Sequence, residues 1–368
     1  MPTTYAIPNG ATQFAASTYT GTGSAMSVSN AASKSGISFQ PDLIWIKQTN
    51  NSANHVLADS SRGVSNYIFS NLTNQEAIAN AGTGITSFAS NGFNLGTETS
   101  TVGSVNAAGG TGTYVAWQWK ASNAVPVTNN NGTTASQVNV NQTAGFSIVT
   151  FTKTNGINET FGHGLLQSLG APKFIILRCR TINSSWFLWN TTYTGLQYIN
   201  FDTAAVASLA TIWNSTAPSD TVLSMGTAFG TGTYVAYAWQ EIAGFSKFGS
   251  YTGTGNTNGA FVYLGFKPRF IMIKQSSGTT AYTSWFMIDT TRMPNNIGSG
   301  TVPSLWANLA VQQGLRGNGV ATDTINYVDI LSNGFKIRSN ASDEINNNTS
   351  TYIYAAFAEN PFKYANAQ

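Results

Sequence analysis

The chain is short of charge. Only 8% of its 368 residues are Asp, Glu, Lys or Arg, against roughly 25% in ordinary globular proteins. Its 17 basic and 14 acidic residues leave a net charge of +3 with no basic run, which excludes the clustered Lys and Arg of a nucleic-acid-binding surface. A single cysteine, Cys179, excludes an intrachain disulfide. It lies in the apolar stretch Phe174–Cys179, and its neighbours Arg178 and Arg180 point to the opposite face of a strand. It therefore reads as a small buried hydrophobe rather than a reactive thiol. The two histidines, His55 and His163, stand in unrelated contexts, with no His-x-x-x-His or Cys spacing to suggest a metal site. No apolar stretch approaches the roughly 20 residues needed to span a membrane. Met1–Gly10 lacks the basic start and apolar core of a secretory signal, so none is expected. Sequons such as Asn71-Leu72-Thr73 are assigned no glycan, because a chain so rich in Asn, Ser and Thr produces them by chance.

Polarity comes instead from Asn, Thr, Ser and Gly, which suit turns and strand faces and disfavour helix interiors. The hydrophobic share is 42% and the aromatic share 12%, too high for disorder and well suited to packed β layers. A surface rich in amides and hydroxyls but poor in charge has little electrostatic protection against association, which favours life within an assembly.

One pattern occurs three times. Asp42-Leu-Ile-Trp-Ile-Lys47, Phe174-Ile-Ile-Leu-Arg178 and Phe270-Ile-Met-Ile-Lys274 each follow a proline. Each returns downstream to a second signature, at Thr113–Trp117, Thr233–Tyr237 and Thr351–Ala355. Openings at Phe14–Gly23 and Phe245–Gly255 match, and Phe146–Thr154 is a diverged copy. The period is long enough for each copy to close its own core. The expected organisation is an N-terminal segment (1–13), repeat one (14–122), a polar linker (123–143), repeat two (144–243) and repeat three with a C-terminal tail (244–368). The fold class is all-β: three tandem antiparallel β-sandwich-like domains. The unbroken apolar runs suit central strands buried on both faces. Ser90-Asn-Gly-Phe93 and Ser332-Asn-Gly-Phe335 read as type I′ hairpin turns centred on Asn-Gly. Repeat two lacks that hairpin and is expected to have a truncated sheet edge. Apolar spacings at 71–80, 202–213 and 304–313 suggest short crossover helices, with Asp202 as an N-cap.

The search for chemistry returns little. Asp59 and Asp289 end equivalent strands, each with an arginine three residues on (Arg62 and Arg292), a spacing that makes a local ion pair across a turn. Repeat two has Asn190 and Tyr193 there. Catalytic use would need a second carboxylate at glycosidase spacing, and none is indicated. Phe161-Gly-His-Gly164 reads as a flexible loop tip. Asp343–Asn348 is oxygen-rich but lacks defined calcium-ligand spacing and reads as a solvated turn. Gly253–Gly259 lacks the Lys-Ser/Thr and following helix of a phosphate loop. Trp117, Trp119, Trp239, Tyr114 and Tyr234 recur at equivalent places, which favours core packing over stacking on a ligand. No catalytic, cofactor-binding or metal-binding residue is assigned, and no enzyme activity or cofactor is expected.

The runs Phe39–Lys47, Asp59–Val64, Ser90–Gly96 and Thr113–Ala121, with the ending Tyr352–Tyr364, resemble a domain of structural proteins of tailed bacteriophages, especially marine ones. The resemblance spans most of the chain and is weakest in repeat two. It implies a virion localisation and a tail or tail-fibre role in particle assembly and attachment to a host-surface glycan or receptor. The implied partners are other virion proteins, with no nucleic acid or membrane insertion, and a homotrimer is reasonable for a fibre. The alternatives are a capsid decoration protein and a polysaccharide-degrading tail enzyme.

Overall fold

The computed structural model describes residues 5–31, 37–98, 103–209, 211–278, 284–297, 301–317, 322, 324–340 and 344–361. Antiparallel sheet dominates, with 43% of residues in strands and 4% in helical turns, none of them seven residues long. The chain is all-β, as expected from its sequence.

Each repeat builds one large sheet from the same parts. An opening strand (Phe14–Thr20, Phe146–Lys153, Ser246–Thr252) pairs with the closing strand (Thr113–Trp119, Gly232–Trp239, Thr351–Pro361). The closing strand pairs in turn with the middle strand (Leu43–Gln48, Phe174–Cys179, Phe266–Ser277), and that with a fourth (Val56–Asp59, Phe187–Asn190, Phe286–Asp289). Among the described residues the three large sheets have six, eight and five strands. Prolines 41 and 172 precede the middle strands of the first two copies. In the third the strand starts earlier, at Phe266, and absorbs Pro268 at a shift of register, a place where a missing N–H is tolerated.

A small sheet covers the outer face of each large one. It has three strands in repeats one and three, and two in repeat two, where the hairpin is missing. The hairpin turns differ from expectation. Pairing of Ala89 with Gly92 and of Leu331 with Gly334 leaves Ser90–Asn91 and Ser332–Asn333 as the turn residues. Neither asparagine has positive φ, so these are not type I′ turns. The glycines are needed for another reason. A Cβ on Gly92 would lie 2.0 Å from Val28 O, and one on Gly334 would lie 2.0 Å from Val262 O. The turn must lie flat against the neighbouring strand of the small sheet.

Three further expectations are corrected. Residues 123–143 are not a free linker. Val127–Asn129 and Ser136–Asn141 form a hairpin that adds two strands to the second sheet, covering the edge of Phe146–Lys153. Such cover is a usual remedy for an open sheet edge. Among the described residues of 71–80, 202–213 and 304–313 no α-helix forms. Those segments contain the two-residue strands Ala77–Ile78, Ser208–Leu209 and Leu305–Trp306, which extend the sheets, and a single 3-10 turn at Thr211–Trp213. Asp202 caps nothing; its Oδ1 accepts from Trp186 N at 2.8 Å.

The third correction concerns the core. Strand alternation sends successive residues to opposite faces. In repeat one Ile44, Ile46, Val56 and Ala58 face outward into a core closed by the small sheet, with Phe93 and Leu95. Leu43, Trp45, Leu57 and Trp119 face inward and join a single cluster that also takes in the inner faces of repeats two and three. Trp119, Trp239 and Phe357, at equivalent points of the three closing strands, meet there with ring centroids 5.5–6.1 Å apart. The void between them is only about 20 Å³ and is lined by four residues of each copy. The copies are sandwich-like but not self-contained, because each commits one sheet face to a shared interior.

Candidate functional site

The polar side chains with the most chemical potential converge where one repeat meets the next. The three interfaces are related in a cyclic, head-to-tail manner, the arrangement that closes a ring. Backbone bonds mark it. Glu76 N donates to Arg180 O (2.8 Å), Ala207 N to Ser276 O (3.0 Å) and Gln313 N to Thr49 O (2.7 Å). Indoles repeat the pattern. Trp186 Nε1 donates to Phe69 O at 2.8 Å, and Trp285 Nε1 donates to Asn200 O at 3.0 Å. At the third interface the equivalent residue is His55, which is wholly buried beside the backbone of Trp306 and Leu309. Its Nδ1 accepts from Trp45 Nε1 at 3.0 Å. Burial first, and then the charge of Lys47, push its pKa well below the ordinary value, so it is a neutral packing group.

The Asp-Arg pairs identified in the sequence are the centres of these interfaces. Asp59 Oδ2 lies 2.5 Å from Arg62 Nε, both side chains being fully buried. Tyr237 of repeat two donates to Asp59 Oδ2 at 2.7 Å. Arg62 Nη1 reaches Glu76 Oε2 at 2.7 Å, and Arg180 of repeat two donates twice to the same carboxylate, at 2.9 and 2.7 Å. Burial opposes the charge on Glu76, but the Arg180 hydrogen bonds and the Arg62 charge outweigh it and lower its pKa. At the interface of repeats three and one, Asp289 holds Arg292 at 2.7 Å and accepts from Trp117 Nε1 at 3.0 Å. There Gln313 replaces Glu76, its Oε1 accepting from Arg292 Nη1 at 3.1 Å, and Thr49 replaces Arg180. At the remaining interface Asn190, Tyr193, Ala207 and Ser276 fill the corresponding positions, and Ala355 stands where Trp117 and Tyr237 reach across. Among the described residues Asn190 Nδ2 is buried there without a partner. The charged lock is complete at one interface, partial at the second and absent at the third.

Three buried cations share one place on the middle strands: Lys47, Arg178 and Lys274. Arg178 Nη2 donates to Asn74 O of repeat one, and Lys274 Nζ to Ala204 O of repeat two at 2.9 Å. Lys47 Nζ turns back to Gln48 O at 2.6 Å. Burial lowers the pKa of Lys47 and Lys274 to about 7 and that of Arg178 to about 10.

The remaining residues raised by the sequence are structural. Cys179 is buried, 3.6 Å from Thr233 O. His163 is not on a loop tip. It is buried, accepts from Leu165 N at 3.1 Å and lies 3.3 Å from Ser219 O, and burial lowers its pKa to about 4. Asp343 lies outside the described residues; of its neighbours, Glu344 accepts from Tyr327 Oη at 2.8 Å. Asn346 staples the Gly253–Gly259 loop, accepting from Thr254 N at 2.9 Å and donating to Asn256 O at 2.8 Å. Asn106 accepts from Thr22 N in the same way in repeat one. Among the described residues no group of three or more His, Cys, Asp or Glu could hold a metal ion, and no helix is long and apolar enough to cross a membrane.

Beyond the locks, open clefts occur between Met293–Asn296 and Ile330–Asn333 (about 440 Å³) and between repeats three and one (about 370 Å³). The second is lined by Thr18, Tyr19, Thr20, Thr49, Thr113, Tyr114, Arg292 and Gln313. The sequence shows the Asp-Arg pairs, but not their partners in the neighbouring copy or this cleft. The available signal was the alignment of Trp117, Tyr237 and Ala355 with the Asp, Asp and Asn positions, legible only once the cyclic order of the copies is known.

No curated protein and no solved structure matches the chain. A family profile, described as a domain of unknown function, matches residues 9–361 and so runs through all three copies as one unit. The chain belongs to this family, DUF7483.

Proposed function

We propose that the chain is a non-enzymatic structural protein of a bacteriophage particle, a tail or tail-fibre component that serves in assembly and host-surface attachment. The observation that carries this reading is the employment of the ionisable side chains. Asp59, Glu76, Asp289 and Glu344 accept hydrogen bonds from buried partners, and both histidines are buried and neutral-leaning. Chemistry needs titratable groups exposed to a substrate; here Asp59, Glu76 and Asp289 join one copy to the next, and Glu344 and His163 are held within a copy. The charge-poor, amide- and hydroxyl-rich composition fits a part that spends its life bound to others, and the sequence resemblance names the kind of particle. A second reading, a capsid decoration protein, draws on the cyclic order of the three copies. One chain with pseudo-threefold internal symmetry matches a threefold position on a shell.

Mass spectrometry of density-purified particles from the producing host tests the proposal. The protein is expected in the particle band, at few copies for a fibre and at hundreds for a decoration protein. Its absence from the particles overturns both readings. Incubation with host polysaccharide is expected to leave chain length unchanged, and shortening would establish the enzyme reading instead.

A further inference from the structure

We propose that the cleft between repeats three and one binds a neutral saccharide unit. This rests on the attachment reading above and gives it a place and a ligand class.

The argument starts from the comparison of equivalent interfaces. Where repeat one meets repeat two, Arg180 and Glu76 face each other across the interface, joined by two hydrogen bonds. Where repeat three meets repeat one, Thr49 and Gln313 occupy those positions. The backbone bond between them is kept, at 2.7 Å, so the interface has not opened. The side chains at those two positions are smaller and uncharged. Beside them lies the cleft of about 370 Å³, within the size range of small-ligand sites.

Its chemistry is that of a sugar site. Thr18, Thr20 and Thr113 are exposed, and strand pairing sets Thr20 opposite Thr113 and Thr18 opposite Val115. The three hydroxyls therefore stand on the one face that looks towards repeat three. Thr49 Oγ1 continues the row, 2.7 Å from Thr113 Oγ1. Each hydroxyl can donate and accept, as sugar hydroxyls require. Arg292 and Gln313 form the facing wall and add donors and one acceptor. Arg292 is already paired with Asp289 at 2.7 Å, so none of the side chains that line the cleft brings an unpaired charge to it. That combination favours a neutral hexose over a uronate or a phosphate.

The test transplants the plug. Thr49→Arg with Gln313→Glu rebuilds at this interface the pair that faces across the first one. Binding of maltotriose, cellotriose and tri-N-acetylglucosamine is followed by threonine-methyl NMR, with triglucuronate as the acidic counterpart. At least one neutral trisaccharide is expected to shift the Thr18, Thr20 and Thr113 methyl signals, and the plugged double variant is expected to bind it tenfold or more weakly. Should the double variant fold poorly, Thr18→Val with Thr20→Val keeps the shape and removes two hydroxyls, and the same loss is expected. Undiminished affinity in a folded variant, binding of triglucuronate alone, or no shift with any probe overturns the proposal. Presence of the protein in particles is measured separately, so a failed site and a failed virion reading give different results.

Discussion

At the scale of single residues, the protein places charge where it is costly and then satisfies it. Arg62 is fully buried and reaches Asp59, Glu76, Tyr237 and the carbonyls of Leu57 and Asn66. Although burial pushes its pKa down, Asp59 leads the groups that raise it. Removing one member of such a network strands the others. Arg62→Ala is expected to cost about 3–5 kcal/mol, read from the urea midpoint; a loss under 1 kcal/mol would show that the lock does not hold repeats one and two. The buried lysines give a pH dependence of known sign. Lys47 and Lys274 titrate near pH 7 when folded and near 10.4 when unfolded. Between those values the unfolded chain binds more protons, so stability rises with pH from 7 towards 10. Below 7 both states are protonated and the full penalty of burial remains. The urea midpoint is expected to increase between pH 7 and pH 9 and to increase less in Lys274→Met. A flat profile in the parent protein would contradict the burial of these ammonium groups.

At the scale of elements, much was legible in the sequence. The apolar runs after Pro41 and Pro172 are middle strands buried on both faces, and the missing hairpin of repeat two is a missing strand. Turn geometry was not, because Asn-Gly reports a turn without its register. Here Gly92 and Gly334 answer to the carbonyls of Val28 and Val262, which lie more than sixty residues upstream. Gly92→Ala and Gly334→Ala are each expected to lower stability by roughly 1–3 kcal/mol and to raise amide exchange in their small sheets. Equal tolerance of alanine at both would refute the close approach. The three segments expected to be helical were misread because an apolar spacing of three to four also arises in short strands joined by turns. The interface partners were out of reach for a different reason. Trp117 and Asp289 are separated by 172 positions, and a repeat pattern alone does not say which copy packs against which.

At the scale of the whole molecule, the period of the repeat suggested three independent domains, each long enough to fold alone. The inner faces decide otherwise. Trp119, Trp239 and Phe357 pack on one another, and Leu43, Phe174 and Phe270 line the same small void. A single copy cut free would present that face to water, at about 25 cal/mol for each Å² of apolar surface exposed. Sequence periodicity identifies the unit that was duplicated; the unit that folds is set by where the apolar faces go. Differential scanning calorimetry of the full chain tests this most directly. One transition is expected, with the van't Hoff enthalpy matching the calorimetric enthalpy of all 368 residues, as for a two-state unit. Three resolved transitions, each with the enthalpy of about a third of the chain, would contradict the shared interior.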